Sequence, residues 1–213
     1  MNKTTIGAEI MTKIARMPDR DHMPGIQPPL YCRKNHQMKG AIIYQSRYGA
    51  TQQYAGWIGS QLHLPVFNLC NISAEQLEQY DYLLIGTSVY IGKMLIKDWL
   101  KHHAATLQYK KLFLFVVCAT PSSERQKQLQ IVKDNVPDDL IAAEEIFFLP
   151  GRLKIHELTL VDRCFLRMGA KLEKDKRKKE AMTHDIDAVK IENIAPFAKA
   201  VETFRVQAEQ FIL

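Results

Sequence analysis

The 213-residue chain is predicted to fold as a doubly wound α/β domain, a five-stranded parallel sheet in a three-layer α/β/α arrangement. Two observations carry this. From Met38 onward, short apolar runs alternate with stretches of helical period, the pattern of parallel strands joined by right-handed crossover helices. The run Leu112–Ala119 (LFLFVVCA) is continuously apolar, as a central strand covered on both faces requires.

The elements are expected in this order. Gly40–Tyr44 is a short apolar strand, followed by a polar loop and a helix over Thr51–Leu62. Pro65–Cys70 is the second strand, and Ser73 is placed to cap a short helix over Ala74–Gln79. Tyr82–Ile85 is the third strand and ends at Gly86. Met94–Leu107 is helical, with Ile96, Trp99 and Leu100 on one face. After the fourth strand at Leu112–Ala119, Ser122 or Ser123 can cap a helix that runs to about Asn135. Ile146–Leu149 is the fifth strand. A closing helix spans about Ile194–Phe211, with Phe197, Val201 and Phe204 at helical spacing.

Composition bounds the function. An apolar share of 46% and a charged share of 24% belong to an ordinary globular protein and exclude a disordered, collagenous or coiled-coil chain. A chain of this length buries about 70% of its unfolded surface and needs no disulfide or metal to hold a core. No apolar run reaches the roughly 18 residues of a membrane span. The net charge of +6 is too mild for a nucleic-acid binder, which concentrates its basic residues on one face. Cys32, Cys70, Cys118 and Cys164 form no C-x-x-C pair, and two lie in apolar segments, where a buried thiol is expected rather than a bridge. A reducing cytoplasm fits.

Residues 1–37 read as an appendage to a domain over 38–213. They hold four of the nine prolines and no sustained period. With no apolar h-region and three acidic residues, they match neither a secretory signal nor a transit peptide. The expectation is a flexible extension, or a chain whose native start is Met38.

In a doubly wound sheet, ligands sit beyond the carboxyl ends of the strands, where strand order reverses. The loop after the first strand reads Ser46-Arg47-Tyr48-Gly49-Ala50-Thr51 and enters a helix. Hydroxyls at both ends, a glycine between and a helix N-terminus behind suit a phosphate: backbone N–H groups face the anion and Gly49 permits close approach. The bland alternative is a turn with a Thr cap. No G-x-G-x-x-G is present. Gly86–Met94 (GTSVYIGKM) differs from a Walker loop by one extra spacer residue and by lacking a Ser or Thr after Lys93. A nucleotide triphosphatase is not expected.

These residues resemble the flavodoxins. The strand-S-x-x-G-x-T-helix segment is similar to their FMN phosphate loop, and Thr87-Ser88-Val89-Tyr90-Ile91-Gly92-Lys93 to their second flavin loop. The resemblance implies that Tyr90 lies against the isoalloxazine ring, with backbone near Gly92 at its reactive edge. Ala119, Thr120, Pro121 and Ser122 would close over the other side. Within the superfamily, the chain resembles the quinone-dependent protoporphyrinogen IX dehydrogenases from Met38 almost to the C-terminus. The features shared are Arg47 in the phosphate loop, the tyrosine loop, Gly151-Arg152-Leu153, and a helix containing Val161-Asp162-Arg163, Phe165, Leu166 and Met168. Those relatives carry a long insertion between strands four and five that Thr120–Glu145 lacks.

That resemblance implies an FMN oxidoreductase that passes electrons from a substrate, protoporphyrinogen IX, to a quinone or other acceptor. The alternatives of the same fold are a flavodoxin-type electron carrier and a flavin-free binding module. Electron carriers of this type are typically acidic, and a basic chain fits the role less well. No protein acid or base is needed for hydride transfer to a flavin, so no catalytic side chain is assigned. Expected partners are the small-molecule substrate, its electron acceptor, a peripheral membrane surface at the inner face, and a second copy of the chain; nucleic acid is not expected. Arg47 could pair with the phosphate or face solvent; Asp162 and Arg163 are adjacent on a helix and so point apart, and either could serve substrate carboxylates or structure, with structure expected. Lys171–Glu180 (KLEKDKRKKE) reads as a solvated charge run or a surface for an acidic partner or anionic lipid. His102 and His103 are expected on the surface at a helix C-terminus. His63, His156 and His184 lack partners at ligand spacing, and no metal site is expected.

Overall fold

A computed structural model of the chain describes residues 38–212 apart from 139, 173, 175–178, 181 and 182, and the side chains of all these but 122, 211 and 212. The expectations for residues 1–37, Cys32 among them, and for part of the 171–180 charge run lie outside the described residues.

Five strands run parallel: β1 (Gly40–Gln45), β2 (Val66–Asn68), β3 (Tyr82–Tyr90), β5 (Lys111–Cys118) and β6 (Ile146–Pro150), in the spatial order β2-β1-β3-β5-β6. The register sets Ile42 beside Val66 and Leu84, and Leu84 beside Phe113. The short β4 (Lys93–Met94) turns back on β3 as an antiparallel hairpin, and β7 (Arg152–Leu153) pairs antiparallel with β8 (Ile186–Asp187). The helices are α1 (Ala50–Leu62), α2 (Ala74–Glu78), α3 (Lys97–Leu107), α4 (Arg125–Asn135), α5 (Leu160–Leu172) and α6 (Ala195–Ile212).

Strand alternation divides the core into two layers. Ile42, Leu84, Phe113 and Phe115 face α1 and α6, packing on Tyr54, Ile58, Phe197 and Val201. Ala41, Ile43, Leu83, Ile85, Leu114 and Val116 face the other side, against Leu77 of α2, Leu100 and Leu107 of α3, and Val136 after α4. Phe197 is fully buried at the centre of an aromatic cluster, its ring 5.3 Å from Phe115 and 5.2 Å from Phe147. The three-layer, doubly wound arrangement is as the sequence predicts.

Several boundaries move, each for a physical reason. The third strand does not stop at Gly86. It continues through Thr87, Ser88 and Val89 to Tyr90, because Gly86 makes room for a neighbour: a Cβ there would sit 2.2 Å from the Phe115 ring. The strand then ends in a two-residue hairpin turn, with Ile91 at φ 48° and Gly92 at φ 73°, the left-handed pair of a type I′ turn. Helix α3 consequently starts at Lys97 rather than Met94. Strand two is shorter than expected, since Leu69–Asn71 coils into a 3₁₀ turn whose Cys70 amide donates to Asn68 Oδ1. Before α4, a 3₁₀ turn over Ser122–Glu124 intervenes, and Glu124 precedes the helix without a side-chain cap. Ser73 does cap α2, in a reciprocal capping box with Gln76. Cys118 is buried, whereas Cys70 and Cys164 are exposed.

Candidate functional site

The strand order reverses between β1 and β3, so the loops leaving their carboxyl ends lie at the switch point of the sheet, where folds of this kind take their ligands. The β1–α1 loop holds Ser46, Arg47 and Tyr48. Gly49 is the N-cap residue of α1 at φ 79°, with open space where a Cβ would project. Only glycine adopts this conformation without cost. No side chain caps the helix and its first turn carries no acid. Ala50 and Thr51 follow, both buried, Thr51 completely.

At the end of β3 lie Thr87, Ser88, Val89 and Tyr90, then Ile91 and Gly92 in the turn. Thr87 is fully buried and its Oγ1 donates to the Ser88 carbonyl. The turn is fixed from below by the buried Asn135 of α4. Its Nδ2 donates to the Gly92 carbonyl at 2.9 Å and its Oδ1 accepts from the Met94 amide at 3.0 Å. Ala119, Thr120 and Pro121 leave β5, and Ser122 opens the 3₁₀ turn. Gln128 of α4 donates to the Thr120 carbonyl at 3.1 Å and holds that loop against the helix.

Three hydroxyls here are unusual. Ser46 Oγ, Thr51 Oγ1 and Ser88 Oγ are all buried without a hydrogen-bond partner, as is Gln45 Oε1 at the end of β1. Buried polar groups are overwhelmingly paired, because each unpaired one costs on the order of 1–3 kcal/mol. These four atoms lie at the carboxyl ends of β1 and β3 and in the first turn of α1.

The structural role expected of Asp162 turns out to be that of tying the loops together, through partners the sequence did not indicate. Asp162, on the inner face of α5, is buried and accepts from three side chains: the Tyr48 and Tyr90 hydroxyls and the Arg47 guanidinium, the last through Nε at 3.2 Å and Nη2 at 3.0 Å. Arg47 also stacks on the Tyr90 ring, its Cζ 3.9 Å from the centroid, a cation–π contact. Arg47 is thus tied to Asp162 and to the Tyr90 ring rather than standing free beside Gly49, with its side chain still 36% exposed to solvent. It bridges the phosphate-type loop, the tyrosine and α5. Arg163 points the other way, donating to the His156 and Leu158 carbonyls, as adjacent helical residues should. The signal available in the sequence was the phase of α5: Asp162 lies eight residues before the buried Ala170, about two turns along the same face.

Bonds from Tyr48 and Tyr90, then from Arg47, hold the Asp162 carboxyl well below its ordinary value, at about 2, against the opposing effect of desolvation. The same bond to Asp162 pushes the Tyr90 phenol up. Because the folded-state value of Asp162 is depressed, its stabilising contribution is present above about pH 4 and is lost as pH falls towards 2. Asp162→Asn should flatten that acid limb of the urea midpoint measured against pH. The effect will be modest, since the Arg47 side chain is 36% exposed and solvent screens its charge.

His102 is exposed and His103 stacks on Trp99, each bonded to a carbonyl of its own helix. No group of His, Cys, Asp and Glu suited to a metal ion occurs among the described residues. No helix among them is long and apolar enough to cross a membrane.

Residues 41–180 match the flavodoxin domain family. The chain belongs to that family. An uncharacterized protein of Methanocaldococcus jannaschii is 27% identical over 93 residues, which is 39% of this chain and 57% of that protein. The chain thus spans little more than half the length of the curated relative it matches. Among solved structures, a flavodoxin from the Archaea is 14% identical with a TM-score of 0.38, covering 78% of this chain and 99% of its own. Oxidised flavodoxin 2 from Bacillus cereus is 14% identical with a TM-score of 0.41, covering 81% and 98%. The unpaired hydroxyls of this flavodoxin domain lie at the β1/β3 switch point of its sheet.

Proposed function

We propose that this flavodoxin domain is an FMN-dependent oxidoreductase that oxidises a porphyrinogen-type substrate, protoporphyrinogen IX, and delivers the electrons to a quinone or comparable acceptor. The observation that carries the flavin reading is the set of buried, unpartnered hydroxyls of Ser46, Thr51 and Ser88 around the crevice. An FMN phosphate supplies acceptors for the Ser46 and Thr51 hydroxyls and for the uncapped N-terminus of α1. The donor set and the glycine with open space beside it fit that group.

FMN, if bound, would supply two-electron redox chemistry between substrate and acceptor; complete oxidation of protoporphyrinogen IX, a loss of six electrons and six protons, would take three such rounds and three quinones, each leaving as the quinol. The chain's own residues bind and orient. Gly49 would let the backbone approach the phosphate, and Tyr90, stacked by Arg47 on one face, would offer its other face to the flavin. Arg47 supplies positive charge close to the phosphate while Asp162 holds it. Ala119, Thr120, Pro121 and Ser122 border the far side. Asn135 fixes the Ile91–Gly92 turn that would face the ring.

The finer reading rests on the resemblance of the Gly151–Met168 segment and on the position of α5, whose Asp162 reaches into the crevice loops. Peripheral membrane contact, where a quinone dissolves, belongs to the same reading. The test is visible absorption of the purified protein before and after adding FMN, followed by anaerobic protoporphyrinogen IX. Flavin bands that appear and then bleach are expected. Bands that appear but ignore the porphyrinogen would remove the dehydrogenase and leave an electron carrier. A chain that takes up no FMN would remove both.

A further inference from the structure

We propose that the outward face of α5 is a docking surface for an anionic lipid bilayer. Among the described residues, twelve large apolar side chains are exposed, and five of them, Leu160, Val161, Phe165, Met168 and Leu172, sit on this one helix. Leu172 is 79% exposed and Leu160 77%. At 100° per residue they fall, together with Cys164, within one stripe of less than half the helix circumference. Scattered exposed apolar residues are ordinary, whereas a concentration of this kind marks a contact surface. The inward face is already committed: Ala170 is buried, and Asp162 holds Arg47, Tyr48 and Tyr90.

The charge pattern selects the occupant. Arg163, Arg167 and Lys171 follow one another at four-residue spacing along one edge of the apolar stripe. Asp162 is the only acid on α5, and it is turned inward and paired. The outward side of α5 therefore presents apolar and cationic groups and no carboxylate. In sequence, residues 160–180 hold eight Lys and Arg against four Asp and Glu. A helix of this kind lies in the headgroup plane with its apolar face immersed, and anionic lipid draws in its cations. Its 13 residues extend about 20 Å along such a surface. A second copy fits less well. An antiparallel pairing through this stripe sets the two cationic edges on the same side, and a parallel one meets them with no acid.

The docking surface stands on these observations alone. Its consequence rests on the flavin reading: the loops around the crevice lie directly behind the membrane contact, so an acceptor dissolved in lipid reaches them without crossing water.

The test is flotation of the full chain with vesicles of phosphatidylcholine, with or without phosphatidylglycerol, at low and raised salt. Partition at least about tenfold stronger into the phosphatidylglycerol vesicles, weakened by salt, is expected. Phe165→Ser with Met168→Ser should weaken it a further tenfold or more, and Arg167→Gln with Lys171→Gln should weaken it through charge. All four side chains are exposed, so circular dichroism should be unchanged. The proposal is overturned if the parent ignores phosphatidylglycerol vesicles. It is also overturned if the Phe165/Met168 variant binds them as well as the parent, which would leave adsorption by charge alone. A concentration-dependent dimer that this variant abolishes, without vesicle binding, would assign the face to a second copy. None of these readouts involves flavin, so failure here leaves the flavin reading intact.

Discussion

Thr51→Val is expected to leave the flavin-free chain as stable as the parent, or slightly more so, while weakening FMN binding by about ten- to hundredfold. The two effects have one origin. Thr51 is fully buried and its hydroxyl has no partner within the chain. Valine has nearly the same shape, so its substitution removes an unsatisfied polar atom without opening a cavity, which is neutral or favourable to folding. A hydrogen bond to a charged group contributes on the order of 1.5–3 kcal/mol, and about 1.4 kcal/mol is a factor of ten in affinity. Thermal melting of the apoprotein and an FMN titration of both proteins check the two halves together. A core threonine that merely packed would show no loss in the titration. One that capped the helix would show a loss in the melt.

Phe197→Ala should cost about 3–5 kcal/mol of stability. Phe197 is completely buried in the layer between the sheet and α6, with rings of Phe113, Phe115 and Phe147 around it at edge-to-face angles. These neighbours come from two strands and cannot collapse into the space, so the cavity persists and adds to the lost transfer energy. Against a typical domain stability of about 5–15 kcal/mol this is a large fraction. Urea unfolding of the parent and of Phe197→Leu beside Phe197→Ala gives the graded series, the leucine variant losing clearly less. Equal midpoints for all three would contradict the central place given to this ring.

Most of the sheet is legible in the sequence because buried parallel strands leave uninterrupted apolar runs, as at Leu112–Cys118, and because their helices show 3.6-residue spacing. What local pattern cannot carry is the reason a residue is present. Gly86 reads as a strand terminator, yet it lies within β3 and exists to admit the Phe115 ring. The two-residue strands β4, β7 and β8 are too short for any period. At the site, the loop Ser46–Thr51 stands out through its hydroxyl, glycine and helix order. Its tether does not, since Arg47 and Asp162 are 115 residues apart and only the tertiary fold brings them together. Nothing in the spacing says which of the acids pairs with Arg47.

The proposed flavin site depends on the loop after β1 holding the phosphate of FMN. A parallel titration of the purified chain with FMN and with riboflavin, followed by quenching of flavin fluorescence, tests it most directly. The account predicts saturable binding of FMN at one per chain and binding of riboflavin weaker by tenfold or more, because riboflavin leaves Ser46, Thr51 and the N-terminus of α1 without an acceptor. Equal affinity for the two flavins, or no binding of either, would contradict it.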